Sequence, residues 1–211
     1  MYTLYGSRGS GSVIAEAALE RCGLPYRQVR ASQWEEDSAI DELRRINPLG
    51  QIPTLVLPDG SVMTESAAIL VHLGLLHPAS GLLPADESTR AQTLRGVVYI
   101  AANCYSAITA SDYPERFTID DGDDAREAVR AAARRNLHRH WEIFADSFPA
   151  SPFLGGGEAP GALDIMAAVV SKWSGSRAHL ARHRPEFSAL LKRIEGHPAL
   201  QPVLARHFDA S

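Results

Sequence analysis

The chain has 211 residues and a formal charge of −4, with 45% hydrophobic and 22% charged residues, 16 glycines, 13 prolines and two cysteines. A chain of this length buries about 70% of its surface on folding, so its core needs no disulfide or metal staples. The ordinary charge density excludes collagen-like and disordered classes, and the acidic balance speaks against nucleic acid or an anionic membrane as the main partner.

The first third alternates strands with helices. Tyr2–Tyr5 is an aromatic and β-branched run followed by the glycine/serine loop Gly6–Ser12. Val13 to Cys22 is alanine-rich and helical, with Gly23 at its C-terminal stop and Pro25 beyond. Tyr26–Arg30 reads as a second strand, and Asp37–Ile46 as a helix ended by Asn47-Pro48. Two short strands, Thr54–Leu57 and Ser61–Thr64, flank Pro58-Asp59-Gly60, a hairpin signal. From Ser66 the apolar spacing is helical up to Pro78. The order β-α-β-α-β-β-α describes an α/β unit with a mixed sheet. A Pro/Gly/Ser-rich connector follows, and everything after it reads as helix: one long helix from Arg90 to about Ala110, then Asp123–Phe148, Leu163–Trp173, Pro185–Ile194 and Ala199–Phe208. The fold expectation is α/β plus all-α, with residues 1–78 as the sheet domain, 79–87 as linker and 88–211 as an all-helical domain.

Cys22 and Cys104 stand far apart, outside any CxxC pairing, which fits a reducing compartment. The opening residues lack the basic start and apolar run of a secretory signal, and no apolar stretch approaches the ~18–20 residues of a membrane span. A soluble cytoplasmic protein is expected. The acidic Asp120–Asp124 segment lacks the spacing of a calcium loop and reads as a solvated loop and helix cap. The basic run Arg134–His140 reads as a solvated helix face, with His138 and His140 at the wrong spacing for a metal pair.

Three segments carry candidate chemistry. Ser7-Arg8-Gly9-Ser10-Gly11-Ser12 runs from a strand into a helix start, where backbone N–H groups and a serine hydroxyl can stabilise an anion such as a thiolate. Asn47-Pro48-Leu49-Gly50-Gln51-Ile52-Pro53-Thr54-Leu55 places a proline just ahead of a strand; a cis bond there would turn the Ile52 backbone outward to pair with a peptide ligand, whereas taken alone a trans bond is the commoner form. In Thr64-Glu65-Ser66-Ala67-Ala68-Ile69, Ser66 can cap a helix, and Glu65 with Ser66 can grip an ammonium and a carboxylate together.

In this order and on this frame, residues 47–55 and Glu-Ser-Ala-Ala-Ile at 65–69 resemble the glutathione S-transferase family, with bacterial cytosolic members nearest in character. The resemblance covers the whole chain. It implies a thioredoxin-like N-terminal domain, a helical C-terminal domain, glutathione as co-substrate, no metal, and a homodimer. It further implies that the Ile52 backbone pairs with the cysteine part of glutathione, that Pro53 is a cis-proline, that Glu65 and Ser66 hold the γ-glutamyl end with Gln51 nearby, and that Trp34 contacts the glycyl end.

The family's thiol-activating residue lies near the end of the first strand; Ser10 is the choice here, with Ser7 and Ser12 as rivals. Asp164 in Gly161-Ala162-Leu163-Asp164 resembles half of a capping box and is expected to be structural. Tyr99, Asn103 and Ser106 share a helix face and, with Tyr113, are expected to line the pocket for a small apolar electrophile; Tyr105 and Trp173 add aromatic surface. The implied reaction is conjugation of the glutathione thiolate, a detoxifying activity. The alternatives are a glutathione-dependent isomerase or reductase, disfavoured because the loop lacks a cysteine, and a non-catalytic glutathione-binding or interaction module.

Overall fold

The computed structural model describes residues 1–208. Four strands, β1 (Tyr2–Gly6), β2 (Tyr26–Arg30), β3 (Thr54–Val56) and β4 (Val62–Thr64), form one sheet in the order β2-β1-β3-β4. β1 runs parallel to β2, with Tyr2 opposite Tyr26, and antiparallel to β3, with Leu4 opposite Leu55. The period of two along β1 sends neighbouring side chains to opposite faces. Leu4 therefore enters the main core with α1 (Ser12–Arg21) and α3 (Ser66–Leu76). Tyr5 faces the other way, against Leu43 of α2 (Ile40–Ile46) and Ala31. Gly23, at φ +65°, turns the chain out of α1 toward β2.

The rest is helical: α4 (Glu87–Tyr99), a π-helical turn (Ile100–Tyr105), α5 (Ser106–Asp112), α6 (Asp123–Ser147), α7 (Ala162–Val170), α8 (Ser176–His183), α9 (Pro185–Glu195) and α10 (Gln201–His207). This is a thioredoxin-like sheet domain followed by a helical part, and the two share one apolar core. Every residue of α7 is buried. A helix apolar on all sides belongs in a centre, and α7 packs against α1, α4 and α9. Its start is fixed by Asp164, whose carboxylate accepts the N–H groups of Gly161 (3.0 Å) and Leu154 (2.9 Å). Burial pushes this carboxyl up to about 6, against the pull of those N–H groups. A β-carbon on Gly161 would lie 2.9 Å from the Leu82 carbonyl oxygen. The hydroxyl half of the capping box is thus excluded by a neighbouring backbone.

Several elements differ from the sequence pattern. α2 starts three residues later than Asp37, which takes φ +57° and stands outside the helix. The long helix begins at Glu87, capped by the Asp86 carboxylate on the Thr89 N–H (2.8 Å), and its α-helical course is interrupted by the π turn. At 120–124 the cap is Gly122 rather than an aspartate; Asp120 accepts the Gly122 N–H (2.8 Å), while Asp123 and Asp124 occupy the first turn of α6. Carboxylates there complement the positive end of the helix dipole.

The polar segment of α8 carries no helical apolar period, yet it folds because its side chains meet α6. His179 stacks on His138 (4.2 Å between centroids) and bonds Glu142 (2.7 Å), and Arg184 just beyond clasps Asp146. His138 therefore belongs to a helix–helix contact and not to the solvated face expected for 134–140. Among the described residues no helix is long and apolar enough to cross a membrane.

Candidate functional site

A cavity of about 640 Å³ opens between the sheet domain and the helical part, within the size range of small-molecule sites. Three loops at one end of the sheet supply one wall: Arg8–Gly11 after β1, Ser32–Trp34 after β2, and Leu49–Pro53 before β3; the start of α3 completes it. The helical part supplies the other, chiefly Ala101, Tyr105, Ile108, Thr109, Asp112 and Tyr113.

The Ile52–Pro53 peptide bond is cis. Neither the amide nor the carbonyl of Ile52 has a hydrogen-bond partner among the described residues, so both are available to a peptide-like ligand. Behind this loop stands Asn47, 5% exposed. Its amide donates to the Gln51 carbonyl (3.0 Å) and to Thr54 Oγ1 (2.9 Å), and its oxygen accepts the Leu49 N–H (3.2 Å). Thr54 Oγ1 also donates to the Gln51 carbonyl (2.8 Å). Asn47→Ala removes three bonds and strands buried partners; a loss of about 2 kcal/mol is expected, visible as a lower urea midpoint at unchanged m-value.

Glu65 precedes α3 with φ 63° and ψ 107°, a left-handed conformation that side chains rarely adopt. Its side chain is exposed on the cavity, and Ser66 beside it is buried. The structure makes Glu65, not Ser66, the capping residue, and no side chain closes the helix start. Ser66 is the first helical residue, so its hydroxyl is not spent on capping. Gln51 and Trp34 line the same wall, Trp34 being 59% exposed at the rim.

At the β1–α1 loop the three serines separate. Ser7 and Ser12 are buried, and Ser10 alone of them lines the cavity. The Ser10 hydroxyl donates to the Ser7 carbonyl (2.8 Å), pairs with Ser12 Oγ (2.8 Å) and accepts the Ser12 N–H (3.2 Å). The Gly11 N–H, at the start of α1, has no partner among the described residues; such amides and the helix dipole favour an anion. Tyr5 is removed from the site, because its hydroxyl donates to Glu42 beneath the opposite face of the sheet. Burial also pushes the thiols of Cys22 and Cys104 up, and neither lines the cavity.

On the helical wall, two expected pocket residues lie elsewhere. The Tyr99 hydroxyl donates to the His140 carbonyl (3.1 Å), with its ring packed against the stacked pair Phe144 and Phe148. The Asn103 amide donates back to the Tyr99 carbonyl (3.0 Å). Neither lines the cavity. The spacing 99, 103, 106 assumes α-helical phase, and the π turn at 100–105 breaks it, parting Ser106 from the other two; Ala101, Tyr105 and Thr109 share the wall with Ser106. Ser106 and Tyr113 do line the cavity, though the Ser106 hydroxyl donates to the Ala102 carbonyl. The Arg116 guanidinium lies 4.1 Å over the Tyr113 ring, and Tyr105 packs on Trp173. Tyr105, which the sequence offered only as aromatic surface, reaches across to the other wall: a β-carbon on Gly11 would lie 2.1 Å from its hydroxyl oxygen and 3.7 Å from Pro53 Cδ.

The family model for the glutathione S-transferase N-terminal domain matches residues 12–75. An uncharacterized GST-like protein, YncG, from Escherichia coli K12 is 31% identical over 210 residues, 98% of each chain. A glutathione S-transferase from Methylobacterium radiotolerans, solved in complex with glutathione sulfonate, superposes with a TM-score of 0.75 at 26% identity, covering 100% of this chain and 97% of that one. A glutathione transferase homologue from Sulfitobacter with bound glutathione has the same fold, with a TM-score of 0.81 at 24% identity and 96% coverage of both chains. Sequence likeness along the whole length, together with the sheet, the Ile52–Pro53 turn and the Glu65–Ser66 corner, makes this chain a bacterial-type member of the glutathione S-transferase family.

Proposed function

We propose that the protein is a glutathione transferase that binds glutathione in this cavity and conjugates its thiolate to a small electrophile. The observation that carries the reading is the convergence on one cavity of the unpaired Ile52 backbone, the Glu65–Ser66 corner and the start of α1. Ile52 pairs with the cysteinyl backbone. Glu65 and Ser66 take the ammonium and carboxylate of the γ-glutamyl end, with Gln51 beside them and Trp34 toward the glycyl end. The sulfur then points to the Gly11 amide and the Ser10 hydroxyl, which stabilise S⁻ and lower the thiol pKa from its ordinary value near ~8.5. Catalysis consists of that ionisation and of holding the electrophile against the sulfur. The electrophile lies on the helical wall, its unsaturated body against Tyr105, Trp173 and Ile108 and its polar end toward Thr109 and Arg116. The protein works as a cytoplasmic homodimer; the apolar residues Val62, Leu75, Leu76 and Val98, exposed on β4, α3 and α4, are surface that a second copy can cover.

The test is a pH titration of bound glutathione followed by thiolate absorbance. Saturable binding with the thiol pKa lowered by about one unit or more is expected, together with a partial return in Ser10→Ala. Saturable binding with an unshifted thiol would mark a glutathione carrier without transferase chemistry, and absence of binding would overturn the reading altogether.

A further inference from the structure

We propose that Tyr105, from the helical part of the chain, donates a second hydroxyl hydrogen bond to the glutathione thiolate across the cavity. This assignment rests on the glutathione reading above and specifies what meets the sulfur.

Three observations place the hydroxyl at that point. It lies close against Gly11, at the start of α1, on the side of that residue that also faces Pro53 Cδ. The Gly11 amide and the Ile52–Pro53 turn are the two backbone features that locate the cysteinyl sulfur, so the phenol stands where the sulfur must come. Next, the Tyr105 hydroxyl has no hydrogen-bond partner among the described residues, although its ring is packed against Trp173. Ser10, by contrast, has its hydroxyl engaged with Ser7 and Ser12, and must release the Ser7 carbonyl before it can serve a ligand. Lastly, glycine at position 11 is what admits the phenol, since any side chain there would occupy the same space.

The charges around the phenol sharpen the need for a donor. Glu65 at the start of α3 and Asp112 at the end of α5 line the same cavity as Tyr105, and carboxylates oppose a nearby thiolate. Asp112 is itself moderated by Arg134 and Arg130 of α6. Burial first, then those two carboxylates, push the phenol up to about 12. It therefore stays protonated wherever glutathione ionises, and it acts as an O–H donor to S⁻ with no transfer of its proton.

The experiment compares wild type with Tyr105→Phe, which deletes one oxygen and keeps the ring. Two probes are used: glutathione, titrated by thiolate absorbance, and S-methylglutathione, which has no thiol to ionise. The expected result is a bound-thiol pKa about one unit higher in the variant, with S-methylglutathione binding within twofold of wild type. A second variant, with site-specific 3-fluorotyrosine at 105, makes the phenol a stronger donor and should move the thiol pKa the other way. Unchanged thiol pKa values in Tyr105→Phe and in the fluorinated protein, with S-methylglutathione still bound, would overturn the assignment while leaving the transferase reading intact. Failure of wild type to bind either probe would remove both.

Discussion

Glu65→Gly is expected to weaken glutathione binding about a hundredfold while raising thermal stability. The two effects have separate origins in one residue. Glu65 holds φ 63° and ψ 107°, and a non-glycine residue in such a conformation costs on the order of 1–3 kcal/mol. Glycine relieves most of that, less the roughly 0.5–1 kcal/mol of additional chain entropy it brings to the unfolded state. A rise in Tm of about 2–3 °C follows for a chain of this size. Among the described residues the exposed Glu65 carboxylate makes no ion pair whose loss would offset this gain. Binding moves the other way, because a charge-assisted hydrogen bond to the γ-glutamyl ammonium contributes about 1.5–3 kcal/mol, and about 2.7 kcal/mol is a hundredfold. Calorimetric titration with glutathione and a thermal melt read the two terms independently. Retained affinity would take Glu65 out of the binding corner, and a lowered Tm would show that its backbone is not strained.

The second large effect lies at the other end of the fold. Glu16, in the middle of α1 and 2% exposed, meets His207 Nε2 at 2.8 Å and Arg206 Nη2 at 2.7 Å, both from α10. Gln28 Nε2 adds a bond at 3.2 Å. Burial pushes the Glu16 carboxyl up, but the hydrogen bonds from His207 and Arg206 more than offset it and hold the group below its ordinary value. Removing both partners, as in Arg206→Ala/His207→Ala, leaves a buried carboxylate with only Gln28. A loss of about 3–5 kcal/mol is expected at neutral pH.

The pH dependence carries a sign. A carboxyl with a depressed folded pKa stabilises the protein above its unfolded value near ~4.3, and that contribution disappears as pH falls through the folded value. Wild type should therefore lose this stabilisation only below about pH 4. In the double variant uncompensated burial raises the Glu16 pKa, so stability should increase as pH drops from about 7 toward 5. Urea midpoints measured across this range distinguish the two slopes. The site is implicated as well, since a β-carbon on Gly9 would lie 3.6 Å from the His207 carbonyl oxygen and 3.8 Å from the Phe208 ring. The α10 end thus backs the loop that carries Ser10.

The sheet domain was legible because its signals are local. Alternation, Gly23 with Pro25, and Pro58-Asp59-Gly60 mark turns and strand ends directly, and β2 spans the expected Tyr26–Arg30. The shape of the candidate corner was legible for the same reason: residues 47–55 and 64–66 are contiguous stretches whose backbone course follows from their prolines and turn residues. What sequence periodicity missed depends on tertiary partners. α8 shows no apolar stripe because His138, Glu142 and Asp146 of α6 hold it through rings and charges. Tyr99 and Asn103 were grouped with Ser106 because an α-helical wheel drawn through 100–105 loses its phase at the π turn, which leaves Ser106 alone of the three on the cavity. Tyr105 carries no local mark that distinguishes it from other core aromatics; its position against Gly11 exists only once the two walls meet.

The π turn also makes chain length a determinant of the cavity. Each residue added to or taken from a helix rotates everything beyond it by about 100°, and a π turn is the form in which one additional residue is accommodated without breaking the rod. Loss of a single residue between Ile100 and Tyr105 would restore regular winding and swing α5 relative to α4, carrying Tyr105, Thr109 and Asp112 off the wall together. In this architecture one insertion or deletion exchanges a whole set of cavity-facing side chains at once, a change of wall that no single substitution can reproduce.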